Sequence, residues 1–126
     1  MKEARKSNLP FTISKEFAFC AAHHLPGVPE GHPCRRLHGH NYVIRVELSA
    51  PVVDSVGFVR DYRALDVVKR FIDEELDHRN LNEVLPVAPT AENIAAYLFT
   101  TFASVVPELS AVAVSETPKT WAVYRP

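Results

Sequence analysis

The sequence predicts an α+β domain: a four-stranded antiparallel sheet with two helices on one face, in the order ββααββ. Three observations carry that prediction. Apolar residues alternate with period two near both ends of the chain, helical spacing governs the middle, and stretches rich in proline, glycine or asparagine separate the segments. Two helices on one face of an antiparallel sheet bury both helix stripes in a single core.

The first strand is read over residues 11–22, where Ile13, Phe17, Phe19 and Ala21 share a parity that His23 continues and His24 leaves. A loop with Pro26, Gly27, Pro29, Gly31 and Pro33 follows. Over residues 38–49, His38, His40, Tyr42, Ile44, Val46 and Leu48 fall on one face and Asn41, Arg45 and Glu47 on the other, a half-buried strand with two histidines at its entrance. Beyond a turn at residues 54–57, Asp61 caps a helix with Leu65, Val68, Ile72 and Leu76 at helical spacing, which runs out near Asp77 and His78. Residues 79–89 read as a loop. Thr90 then caps a second helix with Ile94, Leu98, Phe102 and Val105 on its buried stripe, ended by Pro107. The last stretch alternates again and breaks at Thr117, Pro118 and Lys119, as a hairpin does.

The bulk numbers confine the function classes. A chain of 126 residues fits one domain, and 47% hydrophobic with 23% charged residues is ordinary for a soluble globular protein. No apolar run is long enough to span a bilayer, and residues 1–8 lack the apolar stretch of a secretory leader. Residues 1–9 are therefore expected to form a flexible basic arm before a single domain over residues 10–126, in a cytoplasmic protein. Fourteen Lys and Arg against fifteen Asp and Glu leave a net charge of -1, so no global field draws the chain to nucleic acid or a membrane. The spacing of Cys20 and Cys34 allows a disulfide, but a chain with this apolar content needs no staple, and free thiols are the expectation.

The chemistry concentrates around the histidines. His38 and His40, two apart on a strand, project to one side, and Gly39 removes bulk between them. With His23 on a strand able to pair beside them, they make a three-histidine set with an open fourth position, the pattern of catalytic zinc. The alternative is three polar histidines at a sheet end, satisfied by water. Cys34 lies between Pro33 and Arg35–Arg36, a setting that favours a thiolate more than the apolar run around Cys20. Asp77 and His78 supply the pieces of an acid–base relay only if the helix has ended before them; otherwise they are a solvated helix end. Glu116 shares parity with Val112 and Val114, so it is expected to face inward, where two parallel N–H groups of a heterocycle would suit it; the alternative is a strand-end residue tipping into solvent.

In the order and spacing of FCAAHHL, CRRLHGHNY, GFVRDY, LDHRNLN, PTAENIA and VSET, the sequence resembles the 6-pyruvoyl-tetrahydropterin synthase and 6-carboxy-tetrahydropterin synthase family. The resemblance implies that His23, His38 and His40 hold Zn²⁺, that Cys34 is the catalytic thiol, and that Asp77 and His78 form its relay. It implies also that Glu116 anchors the pterin edge while Thr90 and Glu92 line the pterin pocket. The fold it implies is the tunnelling fold, or T-fold, a homo-oligomer in which trimers close their sheets into a barrel, two trimers stack, and active sites fall between subunits. Three residues between Cys34 and His38 make a CxxxHGH pattern similar to the bacterial carboxy-tetrahydropterin branch, although His24 stands where that branch often carries Arg. The implied reaction converts 7,8-dihydroneopterin triphosphate, a small-molecule pterin substrate, to 6-carboxy-5,6,7,8-tetrahydropterin. Pyruvoyl-tetrahydropterin synthase activity is the nearer alternative, and a non-catalytic zinc-stabilised binding module the farther one.

Overall fold

A computed structural model describes residues 6–126 of the chain. Strands β1 (Phe11–His23) and β2 (His38–Ala50) pair antiparallel from Phe11 opposite Ala50 to His23 opposite His38. This register brings the three histidines to one end of the ladder. The expected parity holds: Phe17, Phe19, Ala21 and His23 of β1 are buried, as are Tyr42, Ile44, Val46 and Leu48 of β2. Strands β3 (Leu109–Ser115) and β4 (Ala122–Tyr124) continue the antiparallel sheet in the order β1-β2-β3-β4.

Every residue of β3 is buried, which hides its alternation. Val112 and Val114 join the helix-side core. Ala111 and Ala113 lie on the other face opposite Glu47 and Arg45, whose long side chains pair with Arg125 and stack on Trp121. Long charged side chains bury small neighbours beneath their stems while keeping their own heads in water.

The two expected helices form with corrections to their detail. Asp61 caps the first by accepting from the Arg63 N–H, but that segment is wound at three pitches: a 3-10 turn (Tyr62–Leu65), the helix α1 (Asp66–Phe71) and a π-helical turn (Ile72–Leu76). Leu65, Val68, Ile72 and Leu76 are all buried, so the apolar stripe survives the changes. The widened last turn closes with the Asp77 N–H donating to the Ile72 carbonyl five residues back, the ring size that defines a π turn.

The segment read as a loop contains a third helix, the single turn α2 (Leu81–Val84), where Asn80 caps the Asn82 N–H and the wholly buried Leu81 anchors it. Helix α3 (Ala91–Phe102) is capped by Thr90, which accepts from the Asn93 N–H, and it buries Ile94, Leu98 and Phe102. It ends five residues before Pro107, so the phase resets: Val105 turns outward at 52% exposure and Val106 enters the core in its place.

The expected arm over residues 1–9 lies partly outside the described residues. Its described end forms a 3-10 turn (Lys6–Asn8), with the Lys6 ammonium donating to the Pro107 carbonyl. Among the described residues no helix is long and apolar enough to cross a membrane.

Candidate active site

The ladder end between β1 and β2 places the imidazoles of His23, His38 and His40 together, with one ring nitrogen of each within 4.8 Å of the others. Local backbone fixes two of the rings. His23 Nδ1 lies 2.7 Å from the Pro89 carbonyl, and His38 Nδ1 lies 2.7 Å from the Arg36 carbonyl. A carbonyl only accepts, so both Nδ1 atoms carry the proton and both Nε2 atoms present lone pairs. Those two Nε2 atoms stand 3.0 Å apart. Two bare lone pairs at that separation repel unless a positive centre lies between them, and nitrogens bound tetrahedrally to one zinc are about 3.3 Å apart.

The donor set therefore fits a borderline metal such as Zn²⁺: three imidazoles, two of them with the backbone partner that metal-bound histidines use to orient themselves. His40 differs from the other two. Burial lowers its pKa, partly offset by Glu116 and reinforced by His23 and His38, a shift that favours the neutral imidazole.

Glu116 follows directly on β3, and its Oε2 is 4.0 Å from His40 Nε2. The carboxylate thus faces the histidine cluster, with about a quarter of its side chain exposed (25%). Glu116 and Glu92 line one cavity of about 440 Å³ with Ala91 and Trp121, beside the start of α3. Thr90 stands at that helix start with its hydroxyl accepting the Asn93 N–H.

Asp77 and His78 do face each other, because the helical run has ended at Leu76. Asp77 Oδ2 is 2.9 Å from His78 Nδ1, while Asp77 Oδ1 accepts the Cys20 N–H at 3.0 Å. The Cys20 N–H and then His78 hold the Asp77 carboxyl below the ordinary carboxylate range. His78 has φ +59°, a left-handed conformation that an L residue seldom adopts. Residues 77–80 are pinned along β1: the His78 N–H donates to the Cys20 carbonyl, the Ala22 N–H to the Arg79 carbonyl, and Asn80 bridges Ala22. His78 and His40 both line a cavity of about 520 Å³, with Cys20 and Asn41 on its wall.

Cys34 sits on a 3-10 turn (Pro33–Arg35), half-buried, with its carbonyl accepting the Leu25 N–H at 2.7 Å. Both cysteines are free thiols. The Arg35 guanidinium is occupied by the Pro26 and Val28 carbonyls. Among the described residues no hydrogen bond joins Cys34 to the three histidines or to the Asp77–His78 pair, and its sulfur is outside the candidate ligand group. His32 accepts the Cys34 N–H, and His24 is held by both main-chain atoms to the Asn82 amide, so neither enters the cluster.

Sequence reasoning missed the Pro89 and Arg36 carbonyls that orient the rings, since a carbonyl leaves no residue-type signal. It also passed over Tyr42, placed only as a core residue, whose ring packs edge-on to both His23 and His40 at 5.9 and 5.5 Å. Its parity with His40 was the available signal.

The family model described as 6-pyruvoyl tetrahydropterin synthase matches residues 12–126. A 6-carboxy-5,6,7,8-tetrahydropterin synthase of Synechocystis sp. is 40% identical, over 83% of this chain and 85% of its own. The protein of that name from Bacillus subtilis is 32% identical, over 92% of this chain and 86% of its own. The solved structure of Caenorhabditis elegans 6-pyruvoyl tetrahydropterin synthase superposes with a TM-score of 0.81 at 30% identity, covering 94% of this chain and 97% of its own.

Proposed function

The chain belongs to the 6-pyruvoyl tetrahydropterin synthase family, and from that premise we propose that it converts 7,8-dihydroneopterin triphosphate to 6-carboxy-5,6,7,8-tetrahydropterin, with release of acetaldehyde and triphosphate, on a route to 7-deazapurines such as queuosine. The observation that carries this reading is the convergence of three imidazoles beside a carboxylate, with His40 Nε2 4.0 Å from Glu116. The carboxy-named relatives in Synechocystis and Bacillus favour the carboxy product.

His23, His38 and His40 hold Zn²⁺, which when bound supplies Lewis-acid polarisation of the substrate's side-chain oxygens. Glu116 accepts the parallel N–H groups of the pterin edge, which turns the ring substituent toward the imidazoles. Glu92 and Thr90 wall the ring from the α3 side. Cys34 acts as the base that takes a proton from the substrate's side chain. His78 exchanges protons as the partner acid–base, with Asp77 fixing its Nδ1 proton and leaving Nε2 to act.

The likeness to the Caenorhabditis pyruvoyl enzyme keeps one second reading, in which triphosphate is lost and the carbon side chain is kept. Mass analysis of the product separates the two. The carboxy product with one equivalent of acetaldehyde is expected, and a product retaining all three side-chain carbons would replace the first reading with the second. Cys34→Ala is expected to keep zinc and pterin affinity while turnover falls roughly 10²–10⁴-fold. Unchanged turnover would remove Cys34 from the chemistry.

A further inference from the structure

Tyr42 is fully buried, and its hydroxyl finds no hydrogen-bond partner among the described residues. Packing does not explain the hydroxyl. The ring stacks on Phe19 with centroids 4.9 Å apart, and phenylalanine would make the same stack without a stranded polar atom. A buried phenol left unpaired is costly, so a group retained there needs a partner in the working state.

The partner is indicated by register. Val43 pairs with Ser115 across β2 and β3, so the next position along the same ladder sets Tyr42 opposite Glu116. Among the described residues the Glu116 carboxylate accepts no hydrogen bond, and His40 Nε2 stands 4.0 Å from it. A donor without an acceptor therefore stands across the ladder from an acceptor without a donor.

We infer that Tyr42 is a positioning residue for Glu116, its hydroxyl donating to the carboxylate when that carboxylate engages a planar heterocycle presenting parallel N–H groups. The inference rests on the reading of Glu116 as the ligand anchor. An ionised carboxylate has about four acceptor positions, and two N–H groups of the ligand leave room for the phenol. The donated bond fixes the carboxylate's plane and so how well it receives the two N–H groups, a contribution to binding that is the same in the ground state and the transition state.

The test uses the zinc-loaded full chain with 7,8-dihydroneopterin as the probe, measured by titration calorimetry on Tyr42→Phe, Glu116→Gln and the double variant. Tyr42→Phe is expected to weaken binding roughly ten-fold, with zinc content unchanged and a melting temperature equal to or above wild type. The double variant is expected to bind no more weakly than Glu116→Gln alone, because Tyr42 acts through Glu116. In steady-state assays Tyr42→Phe is expected to raise KM with kcat retained. Wild-type affinity in Tyr42→Phe, alongside weakened Glu116→Gln, overturns the inference and leaves Glu116 as anchor. Wild-type affinity in Glu116→Gln overturns the anchor reading and the inference with it. Additive losses in the double variant also overturn it, since Tyr42 would then act independently.

Discussion

His23 and His38 each spend Nδ1 on a carbonyl, which leaves two Nε2 lone pairs 3.0 Å apart with His40 completing the group. Removing either ring takes away a candidate ligand and its backbone tether together. His38→Ala is expected to lower zinc affinity at least roughly 100-fold, read by competition with a chromophoric chelator; wild-type zinc retention would place the metal elsewhere. The Asp77 carboxyl offers a pH test. Its folded-state pKa is depressed by the Cys20 N–H and by His78, so its contribution to stability is present above the unfolded value near ~4 and is lost as pH falls through the folded value. The stability difference between wild type and Asp77→Asn is thus expected to be constant at neutral pH and to shrink below about pH 4. Urea denaturation across a pH series checks this, and a gap independent of pH would contradict it. The convergence of the histidines was legible because strand parity alone puts His38 and His40 on one side. The Pro89 carbonyl was not, since it arrives from 66 positions along the chain.

At the scale of elements, the turn after the π-helical segment does the most for the site. It ends the helix one residue before Asp77, throws His78 into a left-handed conformation and ties both to β1 through Cys20. Sequence could state the condition, that the pair meets only if the helix has ended, but could not see the change of pitch that ends it. The strain gives a prediction. A left-handed L residue costs about 1–2 kcal/mol, which glycine escapes. His78→Gly is expected to be as stable as His78→Ala or about 1 kcal/mol more so, while both lose turnover; a less stable glycine variant would mean that the conformation is not strained. The helix caps were more legible, because Thr90 ahead of an apolar-periodic run is a local signal. Thr90→Ala is expected to cost about 1 kcal/mol in urea unfolding, and no loss would show the cap to be idle. What escaped was α2, a single turn held by Asn80 and Leu81, too short for periodicity to register.

For the whole molecule, the sheet leaves long β1 covered on its outer edge by residues 77–80 at one end, and short β4 on the other edge carries exposed Val123 and Tyr124. Open edges of this kind invite pairing with another chain. A trimer or hexamer that closes the sheets is expected in light scattering, and a stable monomer would contradict it. Among the described residues of one chain no hydrogen bond links Cys34 to His78, although the proposed reaction uses both. Mixing inactive Cys34→Ala with inactive His78→Ala after subunit exchange is therefore expected to restore turnover at sites assembled from both chains. The α+β class and strand order were legible because alternation and helical spacing are averaged over many residues, whereas assembly depends on edges that one chain's pattern does not pair. If three histidines hold a zinc ion that catalysis requires, zinc titration of the metal-free protein restores turnover in step with the metal bound. Turnover of 7,8-dihydroneopterin triphosphate is expected to be absent without metal and to rise to a plateau at one zinc per chain, with the circular dichroism of the fold unchanged throughout. Full turnover by the metal-free protein, or unfolding on chelation ahead of any loss of activity, would contradict it.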